Sequence, residues 1–62
     1  MVKLMSDKVN YVIADTKEEL ATYLTANLPE TRQSIFTSMG KSIQLVSADD
    51  ARKLIAAGIS RG

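Results

Sequence analysis

The 62-residue sequence predicts a small α+β domain in the order β-α-α-β-α, with two short strands packed with three helices. The first observation is a pattern that occurs twice: an apolar run, then a hydroxyl residue, then acidic residues that open an amphipathic segment. Thr16 and Ser47 are the two hydroxyl residues, and each is expected to cap a helix. The second observation is Pro29, which fits the first turn of a helix but not its interior, and therefore divides the helical region in two.

Two segments carry the signals of strands. Residues 8–14 alternate in polarity and are rich in β-branched and aromatic side chains, with Val9, Tyr11 and Ile13 on one face. Residues 42–46 place Ile43 and Leu45 on one face. Two strands alone do not form a stable sheet, so the strands are expected to pair with each other or with copies in a second subunit.

Three segments are predicted to be helices. The first follows Thr16, the second spans residues 28–39 before Gly40, and the third begins after Ser47 and ends near Gly58. Their apolar stripes are Leu20, Leu24 and Leu28; Leu28, Ile35, Phe36 and Met39; and Ala48, Ala51, Leu54, Ile55 and Ile59. Residues 1–7 are expected to be a flexible leader, residues 8–59 the single domain, and residues 60–62 a tail.

Composition limits the class of protein. A chain of this length buries only about 60% of the surface that its unfolded form exposes, so dimerisation is a plausible source of stability. Without cysteine or histidine it has neither a disulfide nor the usual ligands of structural zinc, and no metal or cofactor is expected. No signal peptide or membrane-spanning run is evident, so we expect a cytoplasmic protein without a membrane partner.

Catalysis is poorly supported by the residues present. The most common general base, histidine, and the most reactive nucleophile, cysteine, are both missing. The adjacent carboxylates Glu18-Glu19 and Asp49-Asp50 fall in first helical turns, where negative charge interacts favourably with the helix dipole. There is no glycine-rich phosphate loop. The sequence therefore predicts a protein that is not an enzyme.

The predicted helix 28–39 suggests a binding function. Its solvent side would carry Gln33, Ser34 and Thr37, where serine and threonine are weak helix formers but a face of Gln, Ser and Thr suits contacts with base edges and phosphates. We therefore expect a small nucleic-acid-binding regulator of phage or mobile-element type, in which this helix reads double-stranded DNA as part of a helix-turn-helix-like unit.

Basic residues that border this polar face or follow it in the chain would hold phosphates. These are Arg32, Lys41, Arg52 and Lys53. The net charge is only +1, but residues 32–62 carry five basic and two acidic side chains, whereas residues 1–31 carry three and five. The stretch Gly40-Lys41-Ser42-Ile43 resembles the exit from the recognition helix in Cro-type repressors, an architecture in which a strand or wing follows.

A second interpretation is a protein–protein interaction module. A small inhibitor, adaptor or assembly factor would dock as a homodimer or through a strand edge. The near-neutral charge and the small core favour this class. Tyr11 would then be either a core residue with its hydroxyl at the rim or an anchor at the interface.

Overall fold

The computed structural model describes residues 1–62 and contains two helices and one five-stranded mixed sheet. The elements are β1 (Lys3–Ser6), β2 (Asn10–Ala14), α1 (Lys17–Asn27), β3 (Phe36–Ser38), β4 (Lys41–Leu45), α2 (Ala48–Ala56) and β5 (Ser60–Arg61). The strand order across the sheet is β3-β4-β2-β1-β5. All neighbouring strands are antiparallel except β1 and β5, which are parallel. The predicted arrangement of three helices and two strands is therefore wrong.

The largest correction concerns residues 28–39, which contain no helix. Leu28 closes α1 instead of opening a second helix, and its N–H donates to the carbonyl of Leu24 at 2.6 Å. The chain then reaches β3, which pairs with β4 through the two-residue turn Met39-Gly40. Positive φ angles of 53° and 77° at these residues are those of a type I′ turn, which matches the twist of paired strands.

The two ends of the chain are the second correction. Residues 3–6, assigned above to a flexible leader, form β1, in which Leu4 is buried. Residues 60–61, assigned to a tail, form β5 beside β1. Gly58, with φ of 92°, ends α2 and turns the chain back, and the N–H of Ile59 donates to the carbonyl of Leu54 at 3.1 Å. β1 forms a local hairpin with β2, in which Ser6 lies opposite Asn10, whereas β5 pairs with residues at the opposite end of the chain, which local patterns do not reveal.

The predicted helix caps are confirmed. The hydroxyl of Thr16 accepts a hydrogen bond from the N–H of Glu19 at 3.1 Å, and the hydroxyl of Ser47 accepts one from the N–H of Asp50 at 3.1 Å. Each bond satisfies a backbone donor that has no partner inside the helix. The starts of α1 and α2 are therefore determined by local sequence.

The core lies between the two helices and one face of the sheet. Its buried apolar members are Leu4, Val12, Ala14, Leu20, Leu24, Leu28, Val46, Ala51 and Leu54. The leucine repeat of α1 is fully used in this core, as its spacing predicted. The molecule thus has two layers, and its helices cover only one side of the sheet.

Candidate interaction surface

The sheet has a second face that no helix covers. Along each strand, side chains alternate between the core and this opposite side, and cross-strand partners lie on the same side. One row across the sheet joins Phe36, Ile43 and Ile13, and the next joins Leu45, Tyr11 and Met5. We call these six residues the open face.

The open face is apolar although it borders solvent. Phe36 and Leu45 are 46% and 51% exposed, and the other four residues are partly exposed. In a two-layer domain with a largely antiparallel sheet, the solvent side normally carries polar residues. A contiguous apolar surface on a soluble domain commonly marks a place where another molecule binds.

The hairpin turn adds a further apolar side chain beside the open face. Met39 is 97% exposed and adopts the left-handed backbone conformation, where asparagine and glycine are preferred. It borders an open depression of about 540 Å³ together with Phe36, Ile43 and Leu45. A flexible, polarisable side chain at this position is suited to contact with a partner surface.

One end of the open face is charged. The Lys41 ammonium donates a hydrogen bond to Asp15, which lowers the pKa of that carboxyl group from its ordinary value. The amino group of Met1 also contacts Asp15, at 3.1 Å, and Glu19, at 2.7 Å. These groups largely neutralise one another.

A single further charge borders the apolar rows. Lys3 pairs with Ile13 across β1 and β2, so its side chain lies on the side of the open face. It is partly buried, forms no salt bridge, and borders a second depression of about 420 Å³. The open face therefore offers an apolar centre with one free cation at its flank.

The residues predicted to contact nucleic acid do not share one element. Arg32, Gln33 and Ser34 lie in the connection between α1 and β3, Thr37 lies in β3, Lys41 in β4, and Arg52 and Lys53 in α2. All seven side chains are exposed, but Lys41 pairs with Asp15 and Arg52 with Asp49. Since residues 28–39 are not helical, the recognition helix and the helix-turn-helix unit built on it are wrong.

The polar residues of that connection have structural contacts instead. The Gln33 amide donates to the hydroxyl of Thr25 at 2.9 Å. The backbone N–H of Ser34 donates to the side-chain oxygen of Gln44 at 2.6 Å. Gln44 is only 3% exposed and also donates to the carbonyl of Leu45 at 2.9 Å, so a buried amide holds the connection against the sheet.

A signal for the open face was present in the sequence. The strand at residues 10–14 has apolar residues on both sides, with Val12 and Ala14 opposite Tyr11 and Ile13. A strand that is apolar on both sides is typical of the middle of a sheet, and β2 is the central strand. What the pattern did not show is that only one of its two sides is covered.

No group of three or more His, Cys, Asp or Glu side chains is placed to hold a metal ion. Neither helix has the length and apolar character that would be required to cross a bilayer. The chain matches no protein-family model, and no curated protein or solved structure is similar to it. The open face is therefore the main structural basis for a functional argument.

Proposed function

We propose that this protein is a non-catalytic protein-interaction module that docks through the open face. The observation that carries the proposal is the contiguous set of six apolar side chains on the side of the sheet opposite the helices. Burying apolar surface is worth roughly 25 cal/mol per Å², so covering this face would supply the main driving force for association.

The composition of the face favours a protein as the partner. Its aliphatic members outnumber the two aromatic residues, Tyr11 and Phe36, and Phe36 lies on the edge strand β3. A single-stranded nucleic acid would be expected to use a row of stacking aromatic rings and a groove of free cations. The open face instead has aliphatic neighbours and one unpaired lysine, Lys3.

Docking by the face is better supported than docking by a strand edge. The edge strands β3 and β5 contain three and two residues. Edges this short provide few backbone groups for an added strand, which is a common protection against edge pairing. The open face spans the three long strands in the middle of the sheet and presents a larger surface.

Site-specific photo-crosslinking tests this proposal. A photoreactive amino acid is placed at Leu45 in the open face or at Thr22, an exposed position of α1. Irradiation is carried out in the native host, and adducts are identified by mass. We expect an adduct with a protein from Leu45 but not from Thr22, and its yield should fall when the same chain also carries Ile43→Glu.

The proposal has a clear contrary result. Adducts from Thr22 but not from Leu45 would place the docking surface on the helical side. An adduct from Leu45 that is unchanged by Ile43→Glu would reflect chance collisions, and it would also contradict docking through the open face.

A further inference from the structure

We propose that the occupant of the open face is a second copy of this chain, an inference that depends on the proposed function above. Two sheets would stack with their open faces in contact and the helices outside, as in a β-sandwich whose layers lie about 10 Å apart. The interface would be isologous, so each residue near the twofold axis would meet the same residues of the partner.

The size of the face is suited to such a dimer. The two larger dimensions of the molecule are 27 and 24 Å. These dimensions bound a flat interface at about 650 Å² per copy, against the roughly 800 Å² that each partner buries in a standard interface, so the open face would be the apolar centre of an interface that also covers its rim. The six apolar side chains come from four adjacent strands, β3, β4, β2 and β1, so they extend across most of the sheet.

The charge distribution allows identical faces to meet. A twofold interface brings like residues together, so a charged centre would repel itself. The central positions here are the uncharged Ile13, Ile43, Tyr11 and Leu45. Lys41 and Asp15 neutralise each other at one end, and Lys3 lies at the flank on β1, where its flexible stem allows the ammonium group to stay in solvent.

Core size adds a reason for self-association. The chain buries only nine apolar residues, and all of them lie on the helical side of the sheet. Domains of this length are marginally stable alone, and oligomerisation is a common source of additional burial. Stacking two open faces would place β2 and β4, which supply Ile13 and Ile43, between two apolar layers.

Sedimentation velocity of the purified full chain tests the proposal directly. The chain has a mass of 6.8 kDa, and we expect a species of twice that mass to grow with concentration from the low micromolar range. Leu45→Glu and Ile43→Glu should each weaken association by at least about 100-fold, since each places like charges together at a desolvated centre. Thr22→Glu on α1 should leave association unchanged and serves as the matched control.

Folding of the variants must be separated from association. Amide spectra of each variant, recorded at a dilution where the wild type is monomeric, report whether the fold is retained. Leu45→Thr, which keeps a strand-forming residue and adds no charge, provides a milder variant with an expected tenfold or greater weakening. A folded Leu45→Thr that dimerises as tightly as the wild type would contradict the proposal.

The remaining outcomes separate this inference from the proposed function. A wild-type chain that stays monomeric at all concentrations would overturn the proposal that a second copy occupies the open face. If crosslinking from Leu45 then yields another protein, the interaction module still stands with a different occupant. A dimer that survives both glutamate variants overturns the inference as well. Salt-sensitive shifts of open-face amides with single-stranded or duplex DNA, in a monomeric chain, would assign the face to nucleic acid and contradict both proposals.

Discussion

Both faces of the sheet carry apolar side chains, but their surroundings differ: the covered side combines Leu4, Val12 and Ala14 with the buried polar residues Ser42 and Gln44, whereas the open face borders solvent. On the helical side, Val12 is fully buried and Ala14 is 2% exposed, whereas Leu45 on the open face is 51% exposed. Both faces arise from the same strands, because alternate residues point to opposite sides. Hydrophobicity alone therefore does not identify the core of a small domain. One apolar face stabilises the monomer, and the other is available for a partner.

Truncation of a core leucine should show the largest difference between the faces. Leu24→Ala removes a fully buried side chain, and large-to-small changes of this kind cost about 2–5 kcal/mol of unfolding free energy. We expect this variant to be largely unfolded at every protein concentration, as measured by urea denaturation. Leu45→Ala on the open face should cost little in dilute solution, and its effect should grow with concentration as the dimer becomes populated. If Leu24→Ala and Leu45→Ala lowered the unfolding free energy equally at every protein concentration, the two faces would not differ in the way described.

Substitution of Gln44 should have the next largest effect. Gln44→Met keeps the approximate volume but removes the part-buried hydrogen bonds to the N–H of Ser34 and the carbonyl of Leu45, which should cost about 1 kcal/mol or slightly more. Gln33→Met, which removes the exposed bond to Thr25, is the matched control and should cost about 0.5 kcal/mol or less. Thermal unfolding of both variants measures the difference. Similar costs would show that the buried amide does not stabilise the connection.

Substitution of Met39 should raise the stability of the monomer, in contrast to the losses expected at Leu24 and Gln44. Met39→Asn places a residue that tolerates positive φ at the first turn position, and we expect a gain of roughly 0.5–1 kcal/mol in monomer stability. The same change removes an apolar side chain beside the open face and should weaken dimerisation by a few fold. Denaturation in dilute solution and sedimentation measure the two effects separately. A variant that is less stable as a monomer would contradict the turn assignment.

Removal of the Lys41 charge at the end of the open face should have the smallest effect on stability. Lys41→Gln removes the first cause of the lowered Asp15 pKa, so that pKa should move up toward its ordinary value. Because the folded-state pKa is lowered, the carboxylate contributes stability above its unfolded-state pKa, and that contribution is lost as pH falls through the folded-state pKa. Both groups are exposed, so the effect on stability should be slight. Carboxyl NMR titration measures the pKa, and no movement would show that Lys41 is not its neighbour in solution.

Local signals predicted part of this fold. The caps at Thr16 and Ser47, the leucine spacing of α1 and the glycine that ends α2 all depend on neighbours in the chain, and the structure confirms them. The pairing of β5 with β1 joins opposite ends of the chain and has no local signal, whereas β1 pairs with β2 in a local hairpin that was not predicted from the sequence. Residues 28–39 were assigned to a helix because Pro29 and the apolar spacing suggested one, whereas strand pairing around Met39-Gly40 provides the stronger interaction.

The candidate site was harder to predict from the sequence than the fold. The polar residues Gln33 and Ser34 were predicted to read DNA, yet one bonds Thr25 and the other bonds the buried Gln44. The sequence placed Ile13 on one face of the first predicted strand, and Ile43 and Leu45 together on one face of the second. It could not show that helices cover only one side of the sheet, because that is a property of the whole fold. Met5 and Phe36 join this face only once β1 and β3 are added to the sheet.

An NMR experiment on a mixed sample tests the central claim most directly. One population of the chain carries ¹³C-labelled methyl groups and the other is unlabelled, so filtered spectra report only contacts between copies. We predict intermolecular contacts from the methyl groups of Ile13, Ile43 and Leu45 to the aromatic protons of Tyr11 and Phe36. Contacts confined to β5 or the helices, or no intermolecular contacts at near-millimolar concentration, would contradict the account.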